Sequence, residues 1–272
     1  VNSVSYLDSI VLNSVPISTI SGESGRILSA DGSGWIDTVP AKYEGDSSFT
    51  FGTRSGEVGD FSFVFGKTNT ATAIGAVSMG SSNANSGTYA LVHGADNSNT
   101  AVNSFVQGRD NTNTGISSLV QGLLNTNTSK SSLVQGMSNT NTNAYSLVQG
   151  LSNANSGSSS LVQGFNNNNS GYYSIINAIN NENTGKYSLI LAGNNSKIVD
   201  DYNGVLLCDT VEVLSGVNNF VVNSSNLDID GNNNAIFNSF DSNISSSRML
   251  IVNSALSQYK GADSVSFVFG SM

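Results

Sequence analysis

The apolar and polar positions of this chain recur with a fixed period of fourteen. From Ser104 the sequence reads SFVQGRDNTNTGIS, from Ser118 SLVQGLLNTNTSKS, from Ser132 SLVQGMSNTNTNAY, from Ser146 SLVQGLSNANSGSS and from Ser160 SLVQGFNNNNSGYY. The register extends back through Ala90, Ala76, Ser62 and, more loosely, Ser48, and forward through Ser174 and Ser188, so the array covers residues 48–201. Fourteen residues are too few for a helix-turn-helix unit, and each unit holds two short alternating stretches of small, apolar and β-branched residues. The pattern predicts an all-β parallel solenoid in which each repeat is one coil of two short strands. Both prolines, Pro16 and Pro40, precede the array, as expected if every later backbone N–H is needed for a ladder between coils.

Counting each repeat from its Ser as position 1, Gly falls at position 5 (Gly94, Gly108, Gly122, Gly136, Gly150) and often at position 12 (Gly87, Gly115, Gly157, Gly171). These two points are read as the corners of the coil, where a residue without Cβ can turn tightly. Alternation then offers two parities. One turns Ser, Val, Asn and Asn of positions 1, 3, 8 and 10 inward, giving a narrow interior with stacked amides. The other buries Leu, Gln and Thr and makes an ordinary monomeric solenoid. The first is the expectation here. It sends a column containing Phe63, Leu91, Phe105, Leu119, Leu133, Leu147 and Leu161 out of the stack. At about 4.8 Å per coil that apolar stripe runs for roughly 45 Å, too long to leave wet, so other chains are expected to cover it. Beside it stand Gln107, Gln121, Gln135, Gln149 and Gln163. Such a ladder near a shared symmetry axis fixes register, because a slipped partner leaves buried amides unpaired.

The S-x-V-x-G…G pattern with this period resembles the head repeats of YadA-like trimeric autotransporter adhesins. The resemblance covers a little over half of the chain and departs from the family in its Gln at position 4 and its Asn at positions 8 and 10. It implies a left-handed parallel β-roll packed as a homotrimer, with the residues flanking the middle of the first strand at the trimer contact. Similar rolls occur in phage tail fibres. Residues 1–47 contain SGESGRILSADGSGWIDTV, similar to linker units of bacteriophage tail-fibre proteins, and are read as an attachment or linker segment. In residues 202–272 the period loosens to between 14 and 17 through VLLCDT, FVVNSS, AIFNSF and LIVNSA, which reads as wider, irregular β-helical coils with larger apolar side chains. The terminal SFVFG at Ser266–Gly270 repeats Ser62–Gly66 letter for letter.

Composition narrows the function. The chain has 272 residues, charged residues make up 11% of it, and the net charge is -9. No Lys/Arg field exists to neutralise phosphates, so nucleic acid is not an expected partner. One cysteine, Cys208, excludes an intrachain disulfide, and one histidine, His93, excludes a usual zinc site, so no cofactor or metal is expected. No run of 18 apolar residues occurs, and the first thirty residues lack a signal-peptide pattern, so the chain is not expected to be membrane-embedded. The lack of an autotransporter's signal and barrel favours a virion fibre over a bacterial surface adhesin.

Acid pairs such as Asp228 with Asp230, or Asp200 with Asp201, could serve a glycan-cleaving site, yet acids in Asn/Gly turns read more simply as loop residues. Asp228-Ile229-Asp230-Gly231-Asn232 grazes a calcium-loop pattern but lacks the closing Glu. His93 stands in the Gln column, and Cys208 in the apolar run VLLC reads as a small buried hydrophobe. The candidate outer binding face is the T-x-T array of Thr112, Thr114, Thr126, Thr128, Thr140 and Thr142, similar to ice-binding solenoid faces, and a polar, weakly charged face that could instead meet a glycan. Tyr89, Tyr145, Tyr172, Tyr173 and Tyr187 could stack on sugar rings or pack between chains. The expected function is a non-catalytic, receptor-binding element of a trimeric bacteriophage tail fibre, located in the virion. Its expected partners are two copies of itself, other virion tail proteins and a host cell-surface glycan or protein. A bacterial adhesin head at the cell surface and an ice-binding solenoid are the alternatives.

Overall fold

The computed structural model describes residues 9–12, 15–18, 47–213, 216–229, 231–241, 243–244, 247–255, 258–259 and 266–271. Among them are strands and turns but no helix. Near the start, Ser9–Leu12 pairs antiparallel with Val15–Ser18; the linker-like stretch 21–39 lies outside the described residues. From Phe49 onward the chain is a parallel β-solenoid. Each coil lays a five-residue strand, such as Leu119–Leu123, in register on the same strand of the next coil: Leu119 on Leu133, Gln121 on Gln135, Leu123 on Met137. A two-residue strand, such as Thr126–Asn127, does the same on the other side. The longer strands form a first sheet and the shorter ones a second.

The inward set is Ser, Val, Asn and Asn. Val92, Val106, Val120, Val134, Val148 and Val162 are fully buried and form one continuous core. Most of the remaining interior is polar, and it is tolerable because nearly all of its amides are hydrogen-bonded. At position 8, Asn125 Nδ2 donates to Asn111 Oδ1 at 3.1 Å, to Gln121 O at 3.1 Å and to Gly136 O at 2.8 Å. Its own Oδ1 accepts from the backbone N and from Nδ2 of Asn139. The position 10 amides form a second column, with Asn113 donating to Asn99, Asn127 to Asn113 and Asn141 to Asn127 at 2.9–3.1 Å. Two amide stacks thus clamp successive coils together where a wider solenoid would use apolar bulk.

The corners differ from the sequence expectation. The chain turns at positions 7 and 14, where non-glycine residues take the left-handed conformation: Asp110, Leu124 and Ser138 on one side, and Ser117, Ser131 and Tyr145 on the other, at φ between 54° and 59°. Their N–H groups reach back to the preceding coil, as in Leu124 N to Arg109 O at 3.0 Å and Ser131 N to Ile116 O at 2.8 Å. The position 5 glycine lies inside the first strand. Gly122 has φ +123°, and a Cβ there would sit 1.9 Å from the Gly136 carbonyl oxygen. Gly115 at position 12 has no positive φ, but its Cβ would likewise meet Ser129 O at 1.9 Å. Both glycines let coils approach closely, and neither makes the turn.

After Ser188 the spacing between paired residues lengthens, from Leu189 on Gly204 to Gly204 on Phe220 to Phe220 on Ala235. The core changes with it. Ile190, Val205, Val221, Ile236 and Ile251 occupy the inner column, and Ile198 stands in register with Asn183 where the next amide would be. A shorter amide column appears at position 1, with Asn219 N bonded to Asn203 Oδ1 and Asn234 Nδ2 to Asn219 Oδ1.

Candidate interaction faces

Strand alternation leaves three outward columns on the first sheet, at positions 2, 4 and 6. Phe63, Leu91, Phe105, Leu119, Leu133, Leu147 and Leu161 of position 2 are all half-buried, resting on the coil edge and not inside it. At position 4 the glutamines form a ladder within the chain: Gln121 Nε2 donates to Gln107 Oε1, Gln135 to Gln121, Gln149 to Gln135 and Gln163 to Gln149, at 2.9–3.0 Å. One N–H of each donor is used in this way, and each primary amide carries another. His93 is exposed in this column above Gln107.

The third column was missed from sequence. Position 6 carries Leu123, Met137, Leu151, Phe165 and Ile179, with Met137 41%, Phe165 43% and Ile179 49% exposed. Reading Gly at position 5 as a corner ends the alternation there and gives position 6 no face. The signal was present all the same, since a large apolar residue follows VQG in four successive repeats. Over the five coils from Leu119 to Ile179 the outward face of the first sheet is therefore apolar, amide, apolar across its width, whereas the earlier coils carry Lys67, Ser81, Ala95 and Arg109 at position 6.

An open groove of about 950 Å³ runs beside this face. Its floor is Leu91, Phe105, Leu119, Leu133 and Leu147, and its wall is the position 14 corner, with small Asn103, Ser117 and Ser131 between Tyr89 and Tyr145. The two tyrosines are 66% and 59% exposed, and Lys130 Nζ lies 5.4 Å from the centre of the Tyr145 ring.

The second sheet presents a different chemistry. Thr112, Thr114, Thr128, Thr140 and Thr142 are exposed and Thr126 is half-buried, all pointing away from the core. Thr112, Thr126 and Thr140 are neighbours in register, and the next residue in line is Ala154. Position 11 stays hydroxylated further, through Ser156, Ser170 and Thr184. Several of these hydroxyls donate to the backbone of the next coil, Thr142 to Asn155 O at 3.4 Å and Thr184 to Val199 O at 2.9 Å.

The other candidates separate. Tyr173, Tyr187 and Tyr202 stack on one another with ring centres 5.1 and 4.9 Å apart. Their faces cover each other, which leaves edges and hydroxyls to solvent and removes the inner faces from sugar stacking. Asp200 Oδ2 accepts from Gly216 N at 2.5 Å, and Asp201 Oδ1 accepts from Lys186 N at 2.8 Å. These adjacent carboxylates thus tie down different coils. Asp230 lies outside the described residues. Among the described residues no cluster of three or more His, Cys, Asp or Glu could hold a metal ion. Cys208 is buried, its Sγ donates to Leu206 O at 2.9 Å, and burial raises its thiol pKa above the usual 9.0. No protein-family model matches the sequence, and neither does any curated protein; what the chain displays is a parallel β-solenoid of about fourteen-residue coils with one apolar–amide face and one hydroxyl face.

Proposed function

We propose that the chain is a structural and receptor-binding element of a homotrimeric fibre, a bacteriophage tail fibre whose coils are of the YadA-like head type. The observation that carries this reading is the face of three outward columns on the first sheet. Its position 2 column is apolar over ten coils, from Phe63 to Leu189, and over five of them an amide line lies between two apolar lines, which suits a symmetry axis. Packed on two further copies, the apolar columns leave water and the free Gln N–H groups find acceptors across the axis.

The second sheet then faces outward in three copies, with a flat, weakly charged array of hydroxyls and amides for a host glycan or protein. Repeated weak contacts on a rigid scaffold bind by avidity. In this reading the fibre holds its target without cleaving it, and Asp200 and Asp201 act as caps for the backbone. Other tail proteins and a virion location complete the proposal.

Light scattering tests the assembly first. A mass of about 85 kDa, three times the 28.2 kDa chain, is expected; a monodisperse species at the single-chain mass would sink the trimer. For the displayed face, the labelled protein is applied to immobilised bacterial lipopolysaccharides and capsular polysaccharides. Binding that Thr126→Arg abolishes at unchanged mass is expected, and binding insensitive to that change would remove the second sheet from the reading.

A further inference from the structure

We propose that the groove beside position 2 is the seat for the position 6 and 7 ridge of the next copy, so that each seam of the assembly joins unlike edges. This rests on the trimeric reading above and specifies which edges meet.

Three observations support it. The first is symmetry: three sheets facing one axis form a triangle, and each vertex brings the position 6 end of one sheet to the position 2 end of its neighbour. Position 4 is then central, which is where the Gln ladder runs. The second is extent. From position 2 to position 6 the sheet is about 13 Å wide, and ten coils rise for roughly 45 Å. That gives on the order of 600 Å² of sheet per chain, or about 300 Å² at each of its two seams, so the corner side chains must contribute the larger part of the ~800 Å² per partner of a stable interface.

The third is a match of sizes at three coils, while the coils ending at Ser117 and Ser159 carry no large apolar residue at either position. On the groove side, position 14 is large at Tyr89, small at Ser131 and large at Tyr145. On the ridge side of the same coils, position 7 is small at Ser82, large at Leu124 and small at Ser138. Leu124 is the informative residue. It occupies a left-handed corner at φ 56°, a strained place for a branched apolar side chain, and it is 54% exposed. Neighbouring coils put Asp96, Asp110, Ser138 and Ser152 there. More than half of the leucine's surface is left in water by its own chain, and the notch between the tyrosine posts of a second copy would take it.

The test uses cysteine pairs in the full chain. Leu124→Cys combined with Ser131→Cys, oxidised, should run as a covalent trimer on a non-reducing gel, while each single substitution should run as the monomer, as should the wild type with its buried Cys208. A double variant that light scattering finds trimeric but that never cross-links would overturn the seam and leave the trimer standing. Covalent dimers from Leu124→Cys alone would also overturn it, because they mean ridge on ridge. A wild type of single-chain mass would remove both readings together. A size swap provides the second measurement. Ser131→Tyr alone should cost at least tenfold in the concentration needed for assembly, and adding Leu124→Ser should restore most of it, as at Tyr89 with Ser82. Failure of that rescue in a folded protein counts against the seam.

Discussion

Ser78 stands at position 3, where the coils on both sides carry Val64 and Val92. It is fully buried and its hydroxyl has no hydrogen-bond partner. It also divides the core, since Val64 belongs to a small cluster with Val58, Ala71 and Ala76 while the main cluster starts at Val92. Ser78→Val should join the two columns, fill the space that a serine leaves and remove the orphaned hydroxyl. A gain of about 1–2 kcal/mol in urea unfolding is expected. Cys208 has a different signature. Burial lifts its thiol pKa above 9.0, so the folded state holds that proton more tightly than the unfolded one. The resulting stabilisation is complete below pH 9.0 and declines as pH rises toward the folded-state value. The difference in urea midpoint between wild type and Cys208→Ala should therefore stay flat through neutral pH and shrink in alkali.

At the scale of the strand and turn, the glycines do their work by lacking a side chain between coils. Gly122→Ala forces a Cβ against the Gly136 carbonyl at a φ that L-residues avoid, and in a repeat the backbone cannot shift without disturbing both neighbours. A loss of several kcal/mol is expected, about 3 or more, read by chemical unfolding. Here the limits of sequence reading are visible. The period and the inward parity were legible because Val120 and Asn125 recur unchanged through successive coils, and a two-residue alternation admits only two choices. The corners were not legible. Glycine is the residue that local propensity puts at a turn, yet Asp, Ser, Asn, Leu and Tyr make the turns at positive φ, a conformation costly for Ser, Leu and Tyr, held by backbone hydrogen bonds to the preceding coil. That tertiary support is invisible in one chain's local propensities, and the error hid the whole column from Leu123 to Ile179.

For the molecule as a whole, the informative property is its sidedness. The coils from Phe105 to Thr142 put apolar groups and glutamines on one sheet and hydroxyls on the other, although the two strands are only a few residues apart in sequence. Leu133 and Thr140 belong to the same coil and face opposite ways. Leu133→Asp should abolish the proposed trimer by placing a charge where its seam would exclude water, whereas Thr140→Asp should leave the mass in solution unchanged; light scattering on both variants, with circular dichroism to verify folding, checks the difference. Equal tolerance would mean that the apolar columns are not the contact.

The amide-to-amide bonds of the columns at positions 4, 8 and 10 all run the same way: Gln135 donates to Gln121, Asn125 to Asn111 and Asn127 to Asn113, each toward the earlier coil. Their small dipoles therefore add where those of the alternating backbone cancel. At the far end the position 10 column stops on an unpaired oxygen of Asn183, opposite Ile198. The rod is thus electrically oriented from within, like a needle with distinguishable poles, and copies bundled with a common heading would inherit one permanent moment along their length.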